Sequence, residues 1–209
     1  MFLTNSRSSR RGKIDELNTK FTPELVLSAY AAGIFPMGDR DGSIRWYSPD
    51  PRCIFDLDNV HVPKRLSRTC RQRIFSCYIN RNWRAVIQNC ASREDTWITQ
   101  PIINVYTSLH EMGFAHSVEA YKDGVLVGGL YGVAIGGAFF GESMFHDITD
   151  ASKVSFVFLV EHLKEKGFVL LDSQYMTAHL RTFRAIQISR AEYLARLAAA
   201  ISMNGCSFV

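Results

Sequence analysis

The stretch from His116 to Phe145 constrains the fold of this chain more than any other part of the sequence. It contains three segments typical of strands, HSVEAY, VLVGGLYGVAI and AFFGESMF, and short glycine-containing turns join them. We therefore predict an antiparallel meander of three strands. Glycine inside a strand weakens it and often marks a bulge or a close approach of backbone or ligand, and this meander has four: Gly128, Gly129, Gly132 and Gly141.

Helical patterns and one further strand surround the meander. The segment FVLLD is wholly apolar up to its last residue, which is typical of a buried central strand. Five helices are predicted. The first follows Thr22-Pro23, and the next two cover Asn80–Ala91 and Pro101–Met112. The fourth runs from after Asp150 to near Lys166, and the last starts at the Ser189-x-x-Glu192 capping box. This order predicts an α+β fold in which helices flank a central, mainly antiparallel sheet.

A long turn-rich segment separates the first predicted helix from the rest of the chain. The sequence GIFPMGDRDGSIRWYSPDPR is too long for a simple connection, and such segments are often functional or join domains. We place a domain boundary near residue 60. Residues 1–60 then form a small N-terminal domain with a flexible basic start, and residues 61–209 form the main domain.

Basic residues are concentrated in one segment of the chain. The net charge is only +4, yet seven basic residues and no acidic residue lie between Lys64 and Arg84. Such a concentration indicates a surface that faces a polyanion. The alternative, an ordinary solvated helix face, remains open on charge alone.

The remaining composition excludes several classes of protein. No uninterrupted apolar stretch approaches the ~18 residues of a membrane-spanning helix, and the polar, basic N-terminus lacks the apolar centre of a secretory signal. The five cysteines form no CxxC pair, so we expect reduced thiols in a cytoplasmic protein rather than a metal site or a disulfide framework.

Asp172 and Gln174 are candidates for a polar pair at the end of the buried strand. In extended backbone, residues two apart point to the same side, so both side chains would face one cleft. The alternative is a strand-end aspartate that only caps a turn.

Glu142 is a third candidate because it lies among Phe139, Phe140, Met144 and Phe145. Alternation places it on the face of Phe140 and Met144, where a buried carboxylate needs a partner. An apolar pocket with one acidic group suits a ligand with a neutral side chain beside an amine. The alternative is that Glu142 faces solvent. A serine hydrolase is disfavoured because Ser143 lacks the G-x-S-x-G context, and VLVGGLYG does not match a phosphate-binding loop.

Six blocks in register resemble leucyl/phenylalanyl-tRNA–protein transferases, and the likeness extends from about Thr22 to Leu197. The blocks are Trp46–Arg52, Thr96–Thr99, Leu126–Gly132, Gly141–Phe145, Ala151–Lys153 and Leu171–Gln174. The resemblance implies that the main domain is a GNAT-like acyltransferase domain. It also implies a transfer of leucine, phenylalanine or methionine from aminoacyl-tRNA to proteins that begin with Arg or Lys, which marks them for N-degron degradation.

The resemblance assigns roles to individual residues, without a metal or cofactor. Asp172, Gln174 and Glu142 would form the catalytic group. Substrate-binding residues would be Trp46, Trp97, Tyr106, Leu130, Phe139, Met144 and Leu171. The tRNA-binding residues would be Lys64, Arg65, Arg68, Arg71 and Arg73. We expect a monomer. A transferase with another amine acceptor and a non-catalytic binder of aminoacyl-tRNA are the alternatives.

The chain departs from the family pattern at Arg184, where a glycine is usual. If this position has a positive φ, arginine is strained there.

Overall fold

The computed structural model describes residues 21–209, so the basic start predicted as flexible lies outside the described residues. The first elements are α1 (Pro23–Ala31), β1 (Phe35–Gly38), β2 (Ile44–Tyr47), β3 (Arg52–Phe55), a 3-10 turn (Leu57–Asn59), α2 (Lys64–Arg71), β4 (Ser76–Ile79), α3 (Trp83–Ala91) and α4 (Gln100–Glu111). The later elements are β5 (Ala115–Lys122), β6 (Val125–Ile135), β7 (Ala138–His146), α5 (Ala151–Glu165), β8 (Leu170–Gln174), α6 (Ala178–Thr182), β9 (Ile186–Ile188) and α7 (Arg190–Ile201).

Side-chain caps begin several helices at the positions that the sequence indicates. The Thr22 hydroxyl accepts a hydrogen bond from Leu25 N at 3.3 Å, and Ser189 accepts one from Glu192 N at 3.2 Å. Asp150 precedes α5 in the same way, but its side chain makes no cap bond and it has a φ of 71°. Its carboxylate binds cationic side chains instead, as described below.

The predicted meander is confirmed, and it forms the middle of a larger sheet. The strand order is β4-β5-β6-β7-β8-β3-β9, and every neighbouring pair is antiparallel except β7 and β8, which are parallel. One core contains residues of α1, α3, α4 and α7, and a second contains residues of α2 and α5 on the opposite face. The chain therefore has the predicted α+β fold with helices on both sides of a mainly antiparallel sheet.

The position of β3 bears on the domain division. A boundary near residue 60 assigns β3 to the N-terminal unit, yet β3 lies between β8 and β9 in the main sheet. The partners of β3 are more than 100 residues away along the chain, so local sequence does not indicate this pairing. We propose that the division lies just before Arg52, after the separate β1–β2 hairpin.

None of the helices within residues 21–209 is long and apolar enough to cross a membrane.

Candidate active site

A cavity opens where the two parallel strands of the sheet separate. The β7–β8 pairing ends at Phe140 and Asp172, and beyond that point β7 continues to His146 and β8 to Gln174 without pairing to each other. The resulting cavity has a volume of about 380 Å³, and we call it the site cavity. The loss of pairing leaves room for a substrate between two strands that otherwise would be 4.7–4.9 Å apart.

A bulge in β7 places Glu142 on the wall of the site cavity. Tyr131 pairs with Ser143 and Gly132 pairs with Gly141, so Glu142 is an extra residue that opposes no partner. A Cβ at Gly132 would lie 2.3 Å from the carbonyl oxygen of Phe140, which explains the glycine opposite this bulge.

The bulge also corrects one expectation from alternation. Glu142 shares a face with Phe140, since both contact Tyr30, but Met144 packs against the core on the other face of the sheet. One inserted residue moves every side chain that follows it to the opposite face of the sheet.

A second irregularity ends β8 at the opposite wall. Cys53 pairs with Gln174 and Ile54 with Asp172, which leaves Ser173 as the extra residue. Gln174 has a φ of 55°, a left-handed conformation that is uncommon for a residue with a side chain and often occurs at functional sites. Its backbone N–H donates to Asp172 Oδ1 at 2.9 Å, while its side-chain Nε2 lies 3.4 Å from Glu142 Oε1.

Glu142 is partly buried and its carboxylate receives hydroxyl donors from the core. Tyr30 OH donates to Oε1 at 2.6 Å, Tyr106 OH lies 3.5 Å from Oε2, and the two hydroxyls also hydrogen-bond each other. Burial raises the pKa of Glu142 to about 8, and the nearby Asp172 carboxylate acts in the same direction against the Tyr30 hydrogen bond. The group therefore exchanges a proton near neutral pH.

Asp172 lies behind the cavity wall and does not line the cavity. It is 0% exposed, and Arg52 binds it through Nη2 to Oδ2 at 2.6 Å and Nε to Oδ1 at 3.0 Å. Tyr193 OH donates to Oδ2 at 2.7 Å. The expectation that Asp172 and Gln174 face one cleft is wrong, because the Ser173 bulge and the left-handed Gln174 end the simple alternation.

The inner end of the site cavity is apolar. Its wall is formed by Leu130, Met144, Phe156, Leu159 and Leu171. Met37, Trp97 and Tyr175, which are more exposed, present broad apolar or aromatic surfaces toward the opening. The arrangement suits an apolar side chain at the inner end and a flat group near the mouth.

The structure brings most of the predicted site residues to this cavity. Glu142, Gln174, Trp97, Leu130, Met144 and Leu171 line it. Tyr106 is fully buried and reaches the cavity only through Glu142, and Phe139 is packed in the core. Trp46 lies on β2, 38% exposed, and does not line the cavity.

The predicted tRNA-binding residues lie together on and after α2. All five are exposed: Lys64, Arg65, Arg68, Arg71 and Arg73. Arg65 also forms an ion pair with Asp150, with Nη1 to Oδ2 at 2.7 Å.

Sequence reasoning missed the buried partners of the site. Tyr30, Arg52 and Tyr193 hold the two carboxyl groups, yet no local pattern relates them, since they come from α1, β3 and α7. The only available signal was the position of Arg52 at the end of the block that begins at Trp46.

The fold and the site define an acyltransferase-like protein, with a titratable carboxyl group beside an apolar pocket at a break in the sheet. Residues 54–198 match the model of the leucyl/phenylalanyl-tRNA protein transferase family, and residues 19–50 match its N-terminal domain. The chain belongs to this family.

The chain is 50% identical to the leucyl/phenylalanyl-tRNA--protein transferase of Gloeobacter violaceus, over 90% of this chain and 97% of the relative. It is also 50% identical to the one from Salinibacter ruber, over 88% of this chain and 81% of that relative. A solved structure of L-PGS from Bacillus licheniformis is 14% identical to the chain with a TM-score of 0.40, over 76% of this chain and 55% of that one.

Proposed function

We propose that this protein transfers an aminoacyl group from tRNA to the N-terminal amine of an acceptor protein. The observation that carries the proposal is one cavity in which Glu142 lies between an apolar inner end and an aromatic mouth. The relatives at 50% identity carry the name of this activity. The ester of an aminoacyl-tRNA is already activated, so the reaction requires no further energy source.

The donor amino acid is leucine, phenylalanine or methionine in this proposal. The walls formed by Leu130, Phe156 and Leu159 contact an apolar side chain and leave no polar group of that side chain without a hydrogen-bond partner. Trp97 and Tyr175 near the mouth offer faces on which the terminal adenine can stack. A charged donor side chain would lose its hydration at the inner end, and this cost disfavours it.

Glu142 is the proposed proton acceptor. The α-amine of the acceptor attacks the ester carbonyl carbon, a C–N bond forms, and the bond from that carbon to the ribose oxygen breaks. Glu142 takes the proton that the attacking amine loses and then passes it to the departing ribose oxygen, which leaves as the free hydroxyl of the tRNA. A carboxyl pKa of about 8 is close to the ~7.7–8.0 of an α-amine, so little free energy opposes the transfer.

Asp172 acts as a positioning residue in this scheme and not as the base. Its two oxygens already accept hydrogen bonds from Arg52, Tyr193 and the backbone of Gln174. The bond to Gln174 N fixes the left-handed turn that directs the Gln174 amide toward Glu142. Asp172 thus acts on the reaction through Gln174.

The acceptor and the site of action complete the proposal. Acceptors begin with Arg or Lys and become N-degron substrates, and Glu142 is the acidic group that the described cavity wall offers to a cationic chain end. The protein acts as a monomer in the cytoplasm, where aminoacyl-tRNA is made. The exposed basic residues of α2 bind the tRNA backbone.

A transfer assay tests the proposal directly. Labelled Leu-tRNA or Phe-tRNA is incubated with peptides that begin with Arg, Lys, Asp or Ala, and mass spectrometry detects the addition of one residue. An Arg peptide with an acetylated amine is the matched control and should stay unchanged. Equal transfer to all amines would favour another acceptor class, and tight binding of the donor without transfer would leave only a binding protein.

A further inference from the structure

A second cavity adjoins the site cavity and has no role in the function proposed above. Its volume is about 530 Å³, and it shares Arg93, Met144 and His179 with the site cavity. Its other walls come from the end of α3, the end of β7, the segment before α5 and the first turn of α5, including His146, Ser152 and Lys153. The two cavities are therefore adjacent, so that one extended ligand can reach both.

The second cavity carries cationic groups suited to an anionic chain. Arg93 and Lys153 both line it, together with the N-terminus of α5, where free backbone N–H groups favour anions. Asp150 also lines it, but Lys153 Nζ at 3.1 Å and the Arg65 guanidinium at 2.7 Å neutralise that carboxylate. Asp147 is the remaining acidic side chain of the described lining.

His179 lies at the junction of the two cavities with an unused polar atom. Its Nε2 is buried and has no hydrogen-bond partner within residues 21–209. Burial lowers the pKa of His179, and Lys153 acts in the same direction, so the ring is neutral at pH 7. A buried polar atom without a partner is costly, and a ligand that supplies the hydrogen bond removes that cost.

The second cavity also connects to the basic surface of α2. Arg65 belongs to that helix and pairs with Asp150, which lines the cavity. A polynucleotide bound along α2, with its esterified end in the site cavity, thus has a continuous path through the second cavity.

We propose that the second cavity binds the sugar-phosphate backbone of the nucleotides that precede the esterified adenosine of the donor. Arg93 and Lys153 contact the phosphates, and His179 Nε2 supplies a further hydrogen bond. This inference rests on the proposed function. The acceptor peptide is the less suitable occupant, because its cationic first residue would meet Arg93 and Lys153.

Donor length provides the test. The quantity measured is kcat/KM for an aminoacyl-CCA trinucleotide divided by kcat/KM for the same aminoacyl group on adenosine alone. Lys153→Gln should lower this ratio by roughly tenfold, the value of one charge-assisted contact. The dependence of log kcat/KM for the trinucleotide on log salt should also become shallower by about 0.7, as expected when one single-strand phosphate contact is lost.

Matched variants control for folding and for charge. Lys166→Gln removes the same charge from the exposed opposite end of α5 and should leave the ratio unchanged. Lys153→Arg should preserve the ratio because it keeps the cation. Arg93→Gln gives an independent measurement at the other phosphate contact.

Three outcomes would overturn the inference. One is an equal ratio in Lys153→Gln and Lys166→Gln, and another is an unchanged salt slope. The third is an unchanged ratio with a raised KM for the acceptor peptide, which would assign the cavity to the acceptor. Failure of the unmodified protein to use either donor would refute the proposed function itself and this inference with it.

Discussion

Removing Arg52 should destabilise the protein strongly, because it leaves a buried carboxylate without its counterion. Arg52 and Asp172 are both 0% exposed, and Arg52 Nη1 also donates to the Gly33 carbonyl oxygen at 3.1 Å. Breaking a buried pair typically costs ~3–5 kcal/mol, and one further hydrogen bond adds ~1 kcal/mol. We therefore expect Arg52→Met to lower the free energy of unfolding by about 4–6 kcal/mol, a large part of the ~5–15 kcal/mol of a typical domain.

Urea unfolding, followed by tryptophan fluorescence, measures this loss and its origin. Asp172→Leu should also be strongly destabilising, since it leaves the guanidinium unpaired. The double variant Arg52→Met with Asp172→Leu should be more stable than the sum of the two effects predicts, by about 2–3 kcal/mol, because it removes both charges.

A surface pair supplies the matched control. Arg196→Met removes a guanidinium that binds Glu192 at 2.6 Å, but both side chains are about half exposed, 46% and 48%. Its effect should stay within ~1 kcal/mol. The reasoning would be refuted if Arg52→Met cost no more than Arg196→Met, or if the two buried substitutions were simply additive.

Four further predictions concern catalysis, the pH dependence of stability, tRNA binding and backbone strain. Glu142→Gln should lower turnover by roughly 10²–10⁴-fold. Below pH 7 the slope of log kcat/KM against pH should be about two in the parent protein and about one in this variant, since only the acceptor amine still titrates in the variant. Folding raises the pKa of Glu142 from the ordinary carboxyl value of 4.5 to about 8. The stability of the parent protein relative to Glu142→Gln is therefore greatest below pH 4.5 and declines as pH rises through about 8. Urea unfolding of both proteins at pH 5 and pH 9 measures this decline. Changing Arg68 and Arg71 to Glu should weaken tRNA binding by at least tenfold and flatten its salt dependence, and an equal loss with aminoacyl-adenosine would contradict the tRNA-surface role. Arg184→Gly should raise the free energy of unfolding by up to ~1 kcal/mol because Arg184 has a φ of 63°, and a lower melting temperature would contradict this.

Local sequence patterns predict most of the secondary structure and place its ends within a few residues. The predicted helix from Asn80 begins at Trp83, because the Asn82 side chain caps it and Asn80 has a φ of 56°. The predicted strand FVLLD begins two residues later, at Leu170, and continues to Gln174. At Asn80 the shift has a tertiary cause, because its side-chain Oδ1 accepts a hydrogen bond from Ser117 N on a distant strand.

The candidate site is only partly predictable from the sequence. Glycines in the meander indicate a bulge, but the bulged residue is set by the register between β6 and β7. Asp172 and Gln174 stand out as a pair, yet their separate directions depend on the extra residue Ser173. Side chains alternate between the two faces of a sheet only where the strand pairing is regular.

The sequence by itself determined the meander, five of the helices, the family and the three polar residues at the centre of the site. These features are encoded by neighbours along the chain or by short blocks in register. Only the tertiary structure decided that Asp172 is enclosed by Arg52 and Tyr193 while Glu142 lines the cavity with a raised pKa. The physical reason is that burial and charge depend on which distant residues share a site, and here α1, β3 and α7 supply them.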